Sequence, residues 1–114
     1  MIHLDAARRQ EAMAAGWQAY REHVPGHQDA WERACQGWDV LAVCADDDVI
    51  GALLAKDGVI HLGIVPEWRS KWASRRIIRD MMKHGAATKM RAVEPSADFV
   101  ARVAAIGGLH VVRR

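Results

Sequence analysis

Cysteine is scarce in this sequence: Cys35 and Cys44 are its only two. They form no C-x-x-C pair, and His3, His23, His27, His84 and His110 show no spacing that suggests a metal site. A metal-organised module is therefore excluded, and buried free thiols in a reducing cytosol are expected. Long apolar runs are missing too. Nothing approaches the roughly 20 residues that a membrane-crossing helix needs, and no signal-peptide pattern is visible. A soluble, cytoplasmic protein with no membrane partner follows as the expectation. There is little excess charge of either sign: the net charge is +2 over 114 residues. General binding to nucleic acid does not follow from that. Internal repeats and low-complexity tracts are also lacking. What remains is 51% hydrophobic and 26% charged, an ordinary balance for one globular domain spanning residues 1–114.

The most informative stretch runs from Val59 to His84. Val59 to Val65 is apolar and β-branched, as a buried strand should be. Pro66 closes that strand, because it has no N–H to give and its φ is fixed. A polar, basic turn follows over Glu67 to Lys71, and a helix is expected to begin near Trp72 to Ser74. Along it Ile77, Ile78, Met81 and Met82 make one apolar stripe, while Arg75, Arg76, Arg79, Asp80 and Lys83 stay in water. Strand, basic turn and helix together aim backbone N–H groups and a positive dipole end outward, which suits an anion.

The remaining elements are punctuated by glycine and proline. Met1 to Leu4 reads as a short first strand or a lead-in, with Asp5 as N-cap of an alanine-rich helix from Ala6 to about His23. Met13, Trp17 and Tyr20 form its narrow apolar stripe, and Val24-Pro25-Gly26 stops it. A shorter helix from Gln28 to about Cys35 turns Trp31, Ala34 and Cys35 inward, and Gly37 releases the chain. Val40 to Ala45 and Val49 to Ala55 make a hairpin about the turn Asp46-Asp47-Asp48. Lys56-Asp57-Gly58 turns into the Val59 strand. Beyond the central helix, Gly85 is a C-cap and Thr88 to Val93 a fifth strand. Pro95 and Ser96 open a helix over Ala97 to Ile106, with Phe99, Val103 and Ile106 inward. Gly107-Gly108 ends it, and Leu109 to Val112 is a last strand.

The segment Ile64-Val65-Pro66-Glu67-Trp68-Arg69-Ser70-Lys71-Trp72-Ala73-Ser74 resembles the acetyl-CoA signature of the GNAT N-acetyltransferases, V-x-P-x-x-R-x-x-G-x-G/A. Ile64 takes the valine position, Pro66 and Arg69 are in register, and Ser74 supplies the small residue; Trp72 stands at the first glycine. The resemblance implies an α/β (α+β) fold: a mixed, mostly antiparallel central sheet with helices on both faces, here without the family's seventh strand. It implies main-chain contacts from Leu62 and Ile64 to the pantetheine arm of acetyl-CoA. The pyrophosphate would meet the N–H groups of Arg69, Ser70, Lys71, Trp72, Ala73 and Ser74. Trp72 either crowds that site or packs on the cofactor or on the first helices, as core or as a shelf. His61, the titratable side chain within the strand, is the candidate base that takes a proton from the amine acceptor. The tyrosine that often protonates the departing thiolate in the family falls on Ala104. Tyr20, His23 and His27 lie where the family shapes its acceptor pocket.

Two main readings follow. One is a compact acetyl-CoA-dependent N-acetyltransferase, similar to those of tailed phages and prophages and acting in a bacterial or phage-infected cell. The other is a GNAT-fold binding or structural protein without turnover, favoured by Ala104 and Trp72. Nucleic-acid binding through the basic helix is a weaker third, since no exposed aromatic platform or helix-turn-helix spacing accompanies the charges. A homodimer is expected, from an uncovered sheet edge at Leu109 to Val112 and from apolar surface on a small domain with five tryptophans.

Overall fold

The computed structural model of the protein describes residues 1–21, 26–69, 71–85, 89–92, 105 and 110–112. Six strands form one sheet in sequence order: β1 (Ile2–Asp5), β2 (Asp39–Ala45), β3 (Asp48–Lys56), β4 (Val59–Ile64), β5 (Lys89–Ala92) and β6 (His110–Val112). β1 to β4 pair antiparallel, and β4–β5 and β5–β6 pair parallel. The described helices are α1 (Arg9–Tyr20), α2 (Gln28–Ala34) and α3 (Arg75–Gly85). The fold is thus mixed α and β, with no described helix long and apolar enough to cross a membrane.

Strand alternation sorts the chain into two layers about the sheet. Leu41, Val43, Leu53, Ile60, Leu62 and Ile64 join Trp72, Ile77, Ile78 and Met81 in one apolar cluster on the α3 side. Val40, Ala42, Cys44, Ala52 and Leu54 turn the other way, onto Ala12, Ala19 and Tyr20 of α1 and Trp31 of α2. Helices therefore cover both faces.

Turn chemistry sets the hairpins. Asp57 and Gly58 both have positive φ, 52° and 78°, the pair of left-handed residues that a tight two-residue hairpin requires. Between β2 and β3 the turn is Asp46-Asp47, shorter than the expected three aspartates, because Asp48 already pairs with Ala45. The β2–β3 ladder slips one residue at Val43/Cys44, a bulge at Ile50 that lets eight residues of β3, Asp48 to Ala55, face the seven of β2.

Several local expectations are corrected. Asp5 caps no helix: it ends β1, and its Oδ1 accepts the Ala7 N–H at 2.9 Å in the connecting turn. α1 begins at Arg9 behind Arg8, three residues later than composition suggests, because β1 takes the chain through Asp5. The face of α1 against the sheet is the small-residue set Ala12, Ala15, Gly16 and Ala19 together with Met13 and Tyr20, while Trp17 is only partly buried. The reason is close approach: a Cβ on Gly16 would stand 2.5 Å from the Trp31 ring and 3.1 Å from Ala52. Ala34 is exposed, whereas Trp31 and Cys35 are buried. β4 stops at Ile64, and α3 starts at Arg75 with Ser74 as its cap, the Ser74 hydroxyl accepting the Ile77 N–H at 3.2 Å. Gly85 is the final residue of α3. The expected stop at Val24-Pro25, the helix from Ala97 with Phe99, Val103 and Ile106 (bar Ala105, which is helical), and Gly107-Gly108 and Leu109 lie outside the described residues.

Candidate functional site

His61 sits in the middle of β4 on the α1–α2 side, 7% exposed among apolar neighbours. Its ring meets Trp38 edge-on, with centroids 4.9 Å apart and planes at 75°. Around it a pocket of about 140 Å³ is lined by Tyr20, Trp31, Ala34, Cys35, Trp38, Leu54 and His61. Tyr20 stacks on Trp31 at 6.2 Å, which fixes the wall between α1 and α2. Gly63, two residues along the same face of β4, lets Tyr20 lie flat on the strand; a Cβ there would stand 2.5 Å from the tyrosine ring. Burial pushes the Cys35 thiol up to about 11, against a weaker opposing pull from Arg9. Cys35 is therefore a neutral wall of the pocket at physiological pH and not a nucleophile.

The other end of β4 leads into the basic turn. Pro66–Trp68 form one turn of 3-10 helix, tightened by the Trp68 N–H to Val65 C=O bond at 3.0 Å. The Arg69 and Lys71 N–H groups donate within the turn, to Pro66 at 3.3 Å and Trp68 at 3.1 Å. Two of the expected phosphate donors are thus already engaged. The outward donors move toward the helix, where the first-turn N–H groups of Arg75 and Arg76 have no intrahelical acceptor. Ser70 lies outside the described residues. Lys71, Arg75, Arg79 and Lys83 are exposed, and Ala73 is half-buried. Arg76 is spoken for: it pairs with Asp80 at 3.1 Å and donates to the Ile2 carbonyl.

Arg69 has a different place from the one its position in the motif suggests. Its Nε donates to the Ile64 carbonyl at 3.1 Å and its Nη2 to the Ala19 carbonyl at 3.2 Å. The guanidinium thereby ties the end of β4 to the last turn of α1, where carbonyl groups and the negative dipole end favour a cation. Val65 donates its N–H to Ile50 on β3. The polar groups of Ile64 consequently face away from β3, the side a main-chain contact with an arm along β4 would use. The Leu62 and Ile64 side chains are buried toward α3. So is Trp72, 2% exposed within that cluster, so its bulk turns inward and leaves only its main chain at the turn.

Strand geometry puts His61 and Ile64 roughly 10 Å apart along β4. The structure thus brings His61 and Tyr20 together and places the turn residues at the far end of the same strand. His27 is exposed at the N-cap of α2, Glu67 is exposed in the turn, and His23 and Ala104 are outside the described residues. No group of three or more metal-ligating side chains occurs among the described residues. Two pocket residues were invisible as such in the sequence. Trp38 follows Gly37 in what reads as a plain connection, and Leu54 reads as generic core; only the pairing of Leu54 with His61 across β3 and β4 reveals their shared site. No protein-family model, curated protein or solved structure matches the chain.

Proposed function

We propose that the protein is an N-acetyltransferase that uses acetyl-CoA and an amine acceptor, resembling the GNAT enzymes. The observation that carries this reading is one strand, β4, with a buried histidine pocket on its flank and a basic turn and helix start at its end. The turn suits a phosphorylated cosubstrate. The first-turn N–H groups of α3 and the Lys71 and Arg75 side chains present positive charge outward, while the Trp72 side chain lies in the core. Acetyl-CoA would supply the activated acetyl group. Ile64, which lies beyond the β4–β5 pairing, would offer the main-chain contact to its arm, whereas Leu62 is paired with Ala92 of β5, and Lys71, Ala73, Ser74 and Arg75 would hold its phosphates. His61 lines the pocket where an amine would stand and is the group positioned to take its proton. Tyr20, Trp31 and Trp38 exclude water around it.

The test is a calorimetric and thermal-shift titration of the full chain with acetyl-CoA and with free CoA, which a binder must answer with a raised melting temperature. Lys71→Glu with Arg75→Glu should weaken that binding about tenfold or more, since carboxylates then face phosphates. His61→Ala should leave cosubstrate binding intact and slow transfer by roughly 10²–10⁴-fold. No thermal shift with millimolar acetyl-CoA would end this reading. Binding without transfer to any amine would leave the non-enzymatic GNAT-fold alternative.

A further inference from the structure

The pocket beside His61 is unusually specific about what it can admit. A dry cavity of about 150 Å³ holds one benzene ring, and this one measures about 140 Å³. Its walls are the rings of Tyr20, Trp31 and Trp38 with Leu54 between them, and its polar groups are the Tyr20 phenol, the Cys35 thiol and His61. No carboxylate lines it among the described residues. The Lys56 ammonium stands 5.8 Å over the Trp38 ring, and at the Cys35 wall the pull of Arg9 outweighs the opposing effect of Glu32. An ammonium entering the pocket would lose its hydration and meet like charge, with no carboxylate among the described lining residues to pair with it.

We infer that the acceptor is a single-ring arylamine, a flat amine already unprotonated at neutral pH, and not a polyamine, aminoglycoside or lysine side chain. This rests on the transferase reading. The ring packs against Trp31 and Trp38, and the amino group lies toward His61. On transfer the amine nitrogen forms its bond to the acetyl carbon as the thioester C–S bond breaks. One N–H proton passes to His61 and on to solvent, and the departing thiolate takes a proton from water. The products are the acetanilide-type amide and free CoA.

The probe is aniline, titrated into the full chain while the tryptophan indole N–H signals are followed by NMR, with spermidine and lysine amide in parallel. Saturable shifts of the Trp31 and Trp38 signals with aniline, and none with the two cationic amines, are expected. Ala34→Trp fills the pocket from an exposed position at the end of α2, so its fold should survive. It should weaken aniline binding about tenfold or more, with an unchanged melting curve. No saturable shift with aniline, equal or greater shifts with spermidine, or unchanged aniline affinity in Ala34→Trp would each overturn the inference. Aniline binding without acetanilide production from acetyl-CoA upholds the ligand class and sinks the transferase. Acetylation of spermidine in preference to aniline does the reverse.

Discussion

Trp72 is where the motif and the structure pull apart. At the position the GNAT signature gives to glycine, a tryptophan is buried with Ile77, Ile78 and Met81. Trp72→Gly should therefore not act as a repair of the motif. It should cost roughly 3–5 kcal/mol of stability, the loss typical of a large aromatic removed from a core, read as a lower midpoint in urea melts. An unchanged midpoint with tighter CoA binding would show that the side chain only crowds the turn. Cys35 offers a pH test. Its folded thiol is raised from the ordinary value near 9 to about 11, so the unfolded chain releases that proton first as pH rises. Stability should therefore hold below about pH 9 and decline between about 9 and 11, the sign expected when the folded state binds more protons. The decline should be shallower in Cys35→Ala. Identical slopes for the two proteins would mean that Cys35 ionises in the fold as it does in the open chain.

Arg69 is better understood through the elements it joins. Its two bonds to the Ile64 and Ala19 carbonyls connect the end of β4 with the end of α1, the two elements that frame the Tyr20 wall of the pocket. Arg69→Met keeps the aliphatic stem and removes both bonds. It should cost about 1.5–3 kcal/mol, the range for hydrogen bonds to charged groups, and should disturb the Tyr20 side of the pocket. A direct phosphate contact predicts the opposite pattern: cosubstrate affinity lost at unchanged stability. Measuring melting midpoint and acetyl-CoA affinity on this one variant separates the two. Gly63→Ala belongs to the same frame. Its new methyl would collide with Tyr20 and Ala19, and the melt should shift downward by about 1–3 kcal/mol, as overpacking does.

Taken as a body, the domain hides its tryptophans. All five are buried or half-buried, and among the described residues Met1 is the only large hydrophobic that is exposed. Among the described residues, then, the tryptophans supply little of the uncovered apolar surface that is one ground for expecting a homodimer. The other stands: β6 ends the sheet and pairs with β5 alone among the described strands. Its Val111 and Val112 are the β-branched type that favours strand addition. Pairing of β6 with its symmetry mate predicts a dimer in light scattering at micromolar concentration that persists at high salt. A monomer of 12.7 kDa at every salt concentration would exclude edge pairing.

Where periodicity was strong, sequence and structure agree closely. The continuous apolar runs of β2, β3 and β4 mark strands buried on both faces, and the Ile77, Ile78 and Met81 stripe marks the one face that α3 buries, because a helix of period 3.6 has only one way to hide that pattern. Pro66 and the Asp57-Gly58 turn likewise mark their breaks locally, through fixed φ and tolerated positive φ. His61 could be named as a candidate because it interrupts an apolar strand. Its pocket could not, since Tyr20, Leu54 and the Cys35–Trp38 turn come from three separate segments that only sheet register and helix packing bring together. The inner face of α1 was legible in part: Met13 and Tyr20 are buried as their spacing suggests, and Trp17 is half-buried. Local pattern favours the bulky Met13, Trp17 and Tyr20, but a helix pressed against a sheet beside Trp31 is governed by how close it can come, and small residues set that distance. Arg69 follows the same logic: its charge is legible in the chain, while its partners, two carbonyls 5 and 50 residues away, exist only once β4 and α1 have packed.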